Sequence, residues 1–298
     1  MKFITNPIKH TLLKYNLIDN KNLLLISKRT RDKKIRVFQD KKSKIIFLEK
    51  QSKQNDYAKI KYNDFEVKNF YKTKIINNKK LKVKMLRGDD IKRRLKDYYN
   101  LYKNKNILDF GSGWGGFLLN IKKKKSLTAF ELRSECLTYL KKKKIICTNN
   151  LDNLKNNYYE FVSLFHVYEH IPNQIEILNK IYSKMKKNGK LVVEVPHANE
   201  FLLKANIEEY KNFIFWSQHL ILHTKKSLKM FLEKSKFKKI KIQYVQRYNI
   251  QNHIKWIIER KPSGHEGYLE VSHKLNLEYK NFLIKNKLTD TIVAIATK

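Results

Sequence analysis

The sequence predicts an α/β fold in which an open, largely parallel sheet is covered by helices and binds a ligand at one edge. An apolar run at residues 107–110 passes directly into a glycine-rich turn at residues 111–116 and then into a predicted helix, as in strands that deliver their backbone to a ligand. Short apolar runs recur along residues 104–298 with spacers long enough for helices, which favours parallel strands. With 298 residues, 42% of them hydrophobic, the chain can form one such core and an accessory unit.

Residues 1–100 are predicted to form the accessory unit and residues 101–298 the main domain. Apolar and polar residues alternate at 35–38 and again at 45–48, on either side of a polar stretch. This pattern predicts a β-hairpin. A helix that begins near Asp89 is predicted to lead into the first core strand.

The residues around the glycine turn indicate which ligand binds there. Gly111, Gly113 and Gly116 satisfy the G-x-G-x-x-G pattern of dinucleotide-binding folds. Asp109, two positions earlier, would place a negative charge beside a pyrophosphate, whereas it suits a cationic group. Glu131 ends the second strand about 20 residues after the first glycine, the distance at which an acid meets ribose hydroxyls. Together these residues fit S-adenosylmethionine better than NAD.

The remaining elements follow in order along the chain. They are a third strand at 145–150, a fourth at 161–165, a tight turn at 188–189 before a fifth strand, a helix at 227–236, a sixth strand at 239–245 and a seventh at 291–297. In this order the motifs resemble the class I S-adenosylmethionine-dependent methyltransferases over roughly residues 104–298. The resemblance implies a Rossmann-like seven-stranded sheet with an antiparallel last strand, S-adenosyl-L-methionine as cofactor and S-adenosyl-L-homocysteine as product.

The resemblance also implies a cofactor site at the carboxyl ends of the first three strands. Its predicted residues are Asp109, Gly111, Gly113, Gly115, Glu131, Leu132, Asn150, Leu151 and Asp152.

The predicted catalytic residues directly follow the fourth strand. They are His166, Glu169 and His170, and they resemble the family's "H-V-x-E-H" ending. Open parallel sheets bind ligands at the carboxyl ends of their strands. A histidine can accept a proton near neutral pH, and an adjacent carboxylate can orient it or raise its basicity. Two alternatives stay open: His166 packs on the cofactor or the sheet, and Glu169 with His170 braces the next helix.

A metal-binding alternative combines these three residues with His197. Some RNA-end methyltransferases with this fold hold a divalent ion with a Glu-x-x-Glu-His arrangement, and His166 stands where the first Glu would be. Nitrogen ligands would suit a transition metal better than magnesium. We expect no metal in this site.

A narrower resemblance concerns the acceptor. The motifs at 215–220, 246–248, 252–256 and 261–265 are similar to a bacterial subgroup often found among surface-polysaccharide and nucleotide-sugar enzymes. Related sugar methyltransferases often carry an amino-terminal cysteine-ligated zinc module, but this chain has no cysteine before Cys136, so the accessory unit is predicted to lack zinc.

A long insertion, about residues 246–290, is predicted to fold as helices and to cover the substrate. His219 and His223, four residues apart, are expected to share one face of a helix. The candidate acceptor contacts in and near the insertion are His219, His223, Tyr248, His253 and His265.

The formal net charge of +38 permits binding to nucleic acid. Nearly all the cations are lysine and they occur in every segment, so an overall lysine and asparagine bias is the preferred explanation. Either way, the charge favours an anionic acceptor and permits non-specific attraction to nucleic acid. Two cysteines, no signal-peptide pattern and no apolar run long enough to span a membrane predict a cytoplasmic protein.

The function predicted from these features is methyl transfer to a small or carrier-linked acceptor, with a sugar or nucleotide-sugar as the preferred class. The alternatives are an RNA or tRNA methyltransferase and a non-catalytic S-adenosylmethionine-binding protein. The sequence does not choose among carbon, oxygen and nitrogen as the acceptor atom.

Overall fold

The structure is a computed structural model that describes residues 3–52, 71–76, 79–84, 88–262 and 271–298. In the described residues the strands are, in chain order, β1 (Phe3–Thr5), β2 (Leu23–Ser27), β3 (Val37–Asp40), β4 (Ile46–Leu48), β5 (Lys50–Ser52), β6 (Tyr71–Ile76), β7 (Lys79–Lys84), β8 (Asn106–Phe110), β9 (Ser126–Phe130), β10 (Ile146–Thr148), β11 (Tyr159–Phe165), β12 (Met185–Pro196), β13 (Ile221–Leu222), β14 (Lys238–Val245) and β15 (Thr291–Thr297). The α-helices are α1 (Pro7–Lys14), α2 (Gly88–Asp97), α3 (Tyr99–Tyr102), α4 (Ser134–Lys142), α5 (Gln174–Lys184), α6 (Phe201–Lys204), α7 (Glu208–Ile214), α8 (Lys225–Lys234), α9 (Ile250–Glu259) and α10 (His273–Lys285).

A seven-stranded sheet has the order β10-β9-β8-β11-β12-β15-β14. The pairs β10/β9, β9/β8 and β8/β11 are parallel, whereas β15 runs antiparallel to both β12 and β14. The predicted α/β fold with a Rossmann-like seven-stranded sheet and an antiparallel last strand is therefore confirmed.

The sheet forms where the sequence has runs of apolar residues. Ile107 and Leu108 in β8 are completely buried, because helices cover both faces of a parallel sheet. The connecting helices bury one face each. In α4, for example, Cys136 and Leu140 are buried four residues apart, the spacing that puts two side chains on one helix face.

Two sequence predictions need correction. The helix expected directly after the glycine turn is only a 3-10 turn, Leu118–Asn120, because glycine is a poor helix former and β9 already begins at Ser126. The fifth strand begins at Met185, before the predicted turn, although Asn188 keeps a turn-like φ of 65°.

The chain divides into two compact units. The first comprises Met1–Gln54, Leu164–Ser183 and Lys190–Lys298, and the second comprises Asn55–Ser163 and Lys184–Gly189. Each unit consists of segments that contact one another more than they contact the rest of the chain. The domain boundary predicted near residue 100 stays a prediction.

In the first unit, a small antiparallel sheet has the order β13-β4-β3-β2. Strands β3 and β4 form the predicted hairpin, with Val37 opposite Leu48. Strand β13 pairs with β4 at Ile221 and Phe47. The buried Asn6 side chain also donates hydrogen bonds to the carbonyls of Leu48 and Leu220, both at 2.9 Å. The amino-terminal strands thus fix the backbone around residues 220–222.

The insertion contributes α9 and α10 to the same unit, so its predicted helical character is confirmed in the described residues. Trp256 of α9 packs with Leu202, Ile207 and Tyr210 in a buried cluster. A role of the insertion in covering a substrate stays a prediction.

Within the described ranges, every helix is too short or too polar to cross a bilayer.

Candidate active site

In the second unit, the glycine turn after β8 has the backbone shape that a close ligand approach requires. Gly111, Gly113 and Gly115 have φ of 76°, 53° and 72°, values that residues with a Cβ rarely adopt. The Gly111 amide donates to the carbonyl of Phe130 at 2.7 Å, which joins the turn to the end of β9.

Gly115 is also required by packing. A Cβ at this position would lie 2.5 Å from Cδ2 of Leu140, a side chain with no exposed surface. The glycine therefore lets the turn lie against helix α4. Gly116 approaches Ile91 in the same way, where a Cβ would lie 2.6 Å from Cδ1.

Glu131 is a buried acid that organises the second half of this region. Its Oε2 accepts the amide of Gly113 at 2.7 Å. Its Oε1 accepts the amides of Leu132 and Arg133 and the Nε–H of Arg133 at 3.0 to 3.3 Å. A carboxylate has about four acceptor positions, so Oε2 is the oxygen with capacity for a ligand hydroxyl.

Asp109 is the second buried acid, 4% exposed, and its Oδ1 accepts the Ser163 hydroxyl at 2.7 Å. Burial raises the pKa of Asp109 to about 6, although the Ser163 hydrogen bond and the charge of Arg94 act in the opposite direction. A cationic ligand group beside this carboxyl would favour its ionised form. The chemistry of the turn, Glu131 and Asp109 suits S-adenosylmethionine, and the contacts of Asp109 with the ammonium group and of Glu131 with the ribose stay predictions.

We expect the affinity for S-adenosylmethionine to fall as the pH drops below about 6, because protonation of Asp109 removes the charge that attracts the cation. Each further pH unit should weaken binding by up to about tenfold. Asp109→Asn should weaken binding at pH 7.5 by roughly 1.5 to 3 kcal/mol and abolish this pH dependence. Isothermal titration calorimetry at several pH values measures both effects.

NAD is the matched control ligand for that experiment. S-adenosylmethionine or S-adenosylhomocysteine should raise the melting temperature, and NAD should not. Tight NAD binding without a response to S-adenosylmethionine would contradict the assignment of this site.

The remaining predicted cofactor residues lie in a turn after β10. The Asn150 side chain accepts the Asp152 amide at 3.0 Å and so begins the 3-10 turn Leu151–Asn153. Asn150 and Asp152 are exposed, so both are accessible to a ligand. Their role in cofactor binding stays a prediction.

In the first unit, His166 follows β11 and is held between two buried acids. Its Nδ1 lies 3.4 Å from Oε1 of Glu169, and its Nε2 lies 3.3 Å from Oε1 of Glu194. Its amide also donates to the Glu194 carbonyl at 2.8 Å. The His166 side chain keeps 21% of its surface exposed, whereas the two carboxylates keep 1% and 0%.

The backbone of His166 has a φ of 53°, a left-handed conformation that histidine adopts more often than most residues with a Cβ. The chain bends at this residue, directly after β11. As a result, the imidazole reaches Glu169 three residues later as well as Glu194 on β12.

The charges of this cluster depend on one another. Burial and the charge of Arg247 act to lower the pKa of His166, but contacts with Glu169 and Glu194 outweigh them and raise it above 6.5. Burial alone would raise the pKa of Glu169, whereas the contact with His166 and the charge of His170 lower it to about 2. The two carboxylates therefore favour the protonated form of His166.

Around Glu169 lie two further imidazoles. His170 Nε2 is 3.9 Å from Oε1 of Glu169, and His170 Nδ1 donates to the Gln218 carbonyl at 2.9 Å. The ring of His219 lies 5.0 Å from that of His170. One ligand atom from each of Glu169, His170 and His219 falls within 4.8 Å of the others, so these are the described residues that could hold a metal ion.

The structure corrects the prediction for His219 and His223. They do not share a helix face, because strand β13 lies between them. The apolar residues 220–222 pair with β4 instead of forming a helical turn. His219 stays beside His170, whereas His223 is fully buried and stacks on Tyr168 at 5.5 Å. His223 therefore has no exposed surface with which to contact an acceptor in this structure.

His253 is likewise an interior residue, 2% exposed. Its Nε2 accepts from the Gln246 side chain at 3.2 Å and its Nδ1 lies 2.7 Å from the Tyr279 hydroxyl, so it joins α9 to α10. Tyr248 is partly exposed, and the Asp290 carboxylate accepts its amide at 3.2 Å. His265 lies outside the described residues.

Several of these histidines should make the fold sensitive to acid. Burial lowers the pKa of His197 and His253 to about 4 and of His219 and His223 to about 3. Below pH 6.5 the unfolded chain binds protons that the native state does not, so the free energy of unfolding falls as the pH decreases. Urea unfolding between pH 7.5 and 5 should show this loss.

Two histidine variants test the contribution of buried histidines to this acid sensitivity. His253→Gln should reduce the slope of stability against pH by up to one proton, whereas His10→Gln, at an exposed position on α1, should leave it unchanged. An identical slope in wild type and His253→Gln would contradict the assignment.

The sequence did not predict three residues that lie beside the group of His166, Glu169, His170 and His219. Glu194 is a lone acid inside an apolar strand, and that isolation is a signal that a buried partner exists. The ring centroid of Trp216 lies 5.7 Å from that of His170 and 5.5 Å from that of His219. The guanidinium of Arg31 lies 4.6 Å from the Trp216 ring. Only the fold brings Arg31 and Trp216 together, so spacing alone could not reveal them.

Comparison with known proteins identifies the family. A family described as a methyltransferase domain matches residues 82–242, more than half of the chain. An uncharacterized protein of Methanocaldococcus jannaschii is 30% identical over 127 residues, covering 42% of this chain and 55% of that protein. The match thus spans only about half of that relative's length.

Two solved structures match this chain over about 70% of its length. One is an S-adenosylmethionine-dependent methyltransferase from Archaeoglobus fulgidus, with 22% identity, coverage of 72% of this chain and 96% of that chain, and a TM-score of 0.49. The other is phosphoethanolamine N-methyltransferase 2 of Haemonchus contortus in complex with S-adenosyl-L-methionine, with 18% identity, coverage of 70% and 52%, and a TM-score of 0.46.

The matched range, residues 82–242, includes the glycine turn, both buried acids of the second unit and the His166 cluster. The chain therefore belongs to the S-adenosylmethionine-dependent methyltransferase family.

Proposed function

We propose that this protein transfers a methyl group from S-adenosylmethionine to a small or carrier-linked acceptor, a sugar or nucleotide-sugar used in surface-polysaccharide biosynthesis. The observation that carries the chemical part is the His166 imidazole, held between Glu169 and Glu194 and partly open to solvent. The sugar part rests on the resemblance at residues 215–220 and 246–265. Both cysteines, Cys136 and Cys147, are free thiols, which suits a proposed cytoplasmic location.

The proposed chemistry needs a base if the acceptor is a hydroxyl. S-adenosylmethionine, when bound, supplies a sulfonium methyl group that a nucleophile can attack in line. In the form active for transfer, His166 is neutral and accepts the acceptor proton, and the Glu169 and Glu194 carboxylates stabilise the imidazolium that results. Because the two acids hold the pKa of His166 above 6.5, turnover should rise with pH through that pKa.

Nucleotide-sugars are the proposed class because they combine an anionic group with hydroxyls. A chain with a net charge of +38 attracts such anions at a distance. The partly exposed Trp216 with its Arg31 partner offers a flat ring and a cation beside His170, and these groups suit a sugar linked to phosphate.

Incubation with radiolabelled S-adenosylmethionine and pooled nucleotide-sugars tests the proposal. We expect label transfer to one sugar, loss of transfer in His166→Asn, and no effect of a chelator. Binding of S-adenosylmethionine without transfer to any acceptor would support a non-catalytic binding protein instead.

The net charge of +38 favours RNA as the second candidate acceptor. The affinity for RNA should fall steeply with ionic strength, because several phosphate contacts release counterions. We expect RNA binding to vanish near physiological salt. Selective, salt-resistant binding and methylation of one folded RNA would replace the sugar proposal.

A further inference from the structure

A set of exposed lysines in the second unit lies near one edge of the strands β8–β12. Exposed lysines occur in the segments that lead into β8, β9, β10 and β11 and in the first residues of β12, and they are Lys103, Lys122–Lys125, Lys141–Lys144, Lys155, Lys186 and Lys187. We call this set the amino-edge lysine face, because it surrounds the amino-terminal ends of these strands.

The first segments that follow β8, β9 and β10 contain no lysine, although the same connections carry lysines further along. These segments are residues 111–117 after β8, residues 131–133 after β9 and residues 149–154 after β10. The last of them is largely exposed, yet its exposed positions hold asparagine and aspartate. A uniform lysine bias would place lysine at both edges, so composition alone does not explain the segregation.

Helix termini explain only part of the pattern. Lys141 and Lys142 lie in the last turn of α4, where a cation interacts favourably with the helix dipole. Lys122–Lys125 follow a 3-10 turn of three residues, which has little dipole. Lys124 Nζ donates to the Ile121 carbonyl at 3.1 Å and Lys125 Nζ lies 3.8 Å from Oε2 of Glu160, so local contacts account for two of these four exposed lysines.

The lysine-bearing connections lie next to one another. The amide of Asn104 donates to the Lys123 carbonyl at 3.1 Å, and the amide of Lys125 donates to the Lys105 carbonyl at 3.0 Å. Neighbouring strands are about 4.8 Å apart, within the Debye length of about 8 Å at physiological salt. The charges of adjacent connections therefore act together on a partner.

We propose that the amino-edge lysine face docks on an anionic lipid bilayer. The amino-edge lysine face would present many hydrated ammonium groups to a flat membrane surface. Clusters of four to eight basic residues are typical of attraction to anionic headgroups. This inference goes beyond the proposed enzymatic function and does not depend on it.

Two features favour a bilayer over RNA. The face contains lysine and no arginine, so it lacks the planar fork that recognises phosphates in specific geometry. Two rings that could stack on bases are covered by the chain's own lysines: Lys143 lies 5.4 Å from the Tyr139 ring and Lys155 lies 4.8 Å from the Tyr158 ring. Sequence-tolerant RNA binding depends on open aromatic platforms.

Co-sedimentation of the full chain with vesicles tests the proposal. We expect binding to vesicles of phosphatidylglycerol mixed with phosphatidylcholine, no binding to pure phosphatidylcholine, and weaker binding as salt increases. A variant with Lys122→Gln, Lys123→Gln, Lys141→Gln and Lys142→Gln should bind the mixed vesicles at least about tenfold more weakly.

The matched control removes the same charge elsewhere. Lys225→Gln, Lys226→Gln, Lys229→Gln and Lys234→Gln change four exposed lysines of α8, and this variant should keep vesicle affinity within about twofold of wild type. An unchanged melting temperature and S-adenosylmethionine response establish that both variants are folded.

Equal loss in the two variants would show that only net charge matters and would overturn the proposal. Tighter binding to single-stranded RNA than to mixed vesicles at physiological salt would overturn it in favour of a nucleic-acid partner.

Discussion

His166→Asn should lower turnover by about 10² to 10⁴ while leaving S-adenosylmethionine affinity nearly unchanged, the range typical of a lost general base. This corresponds to roughly 3 to 5 kcal/mol of transition-state stabilisation. The reason is the position of the imidazole, between the carboxylates of Glu169 and Glu194 at 3.4 and 3.3 Å. The measurement is steady-state kinetics with the acceptor found in the pooled assay.

The pH dependence separates a base from a structural histidine. Wild-type turnover should rise with pH through the raised pKa of His166, and Glu194→Gln should move this rise to lower pH because one stabilising carboxylate is lost. An NMR titration of the His166 ring should show the same shift without any acceptor. His10→Asn, at an exposed position on α1, is the matched control and should change neither result.

The neighbours of His166 complete this test. Glu169→Gln and His170→Asn should also reduce turnover if they orient His166. Full turnover in all three variants would make the motif structural, and the search for a base would move to His219.

Gly115→Ala should destabilise the fold by about 2 to 5 kcal/mol. A positive φ, here 72°, costs a residue with a Cβ about 1 to 2 kcal/mol, and overpacking a filled interior adds about 1 to 3 kcal/mol. The new methyl group would lie 2.5 Å from Cδ2 of the buried Leu140. S-adenosylmethionine affinity should fall as well, because the turn must shift. Urea unfolding followed by circular dichroism measures the stability.

The effect of Gly115→Ala should be compared between wild type and the Leu140→Ala variant. Once the clashing side chain is removed, Gly115→Ala should cost only the conformational part, about 1 to 2 kcal/mol. A double-mutant cycle should therefore give a favourable coupling of about 1 to 3 kcal/mol. No destabilisation by Gly115→Ala in wild type would show that the turn adapts freely.

The sheet could be predicted because its signals are local. Buried parallel strands are continuous apolar runs, and the turn after β8 needs glycine at positions that the sequence displays. The base candidate His166 was predictable for the same reason, since it ends such a run.

Features that depend on distant pairing could not be predicted. The spacing of His219 and His223 suggested a helix, but residues 221–222 pair with β4, far away in the sequence. Glu194 meets His166 only because β12 lies beside the end of β11. The lone acid in an apolar strand indicated a partner but not its identity.

The pairing of β13 with β4 also shows that the range matched by the family does not include every residue that holds β13 in place. The family match begins at residue 82, but the backbone that positions His219 is held by Asn6 and by the strand Ile46–Leu48. A fragment cut at the family boundary would expose the edge of β13 and release the loop beside His170. Alignment boundaries therefore give a poor guide for truncating this protein, because residues before position 50 hold the backbone of the candidate site.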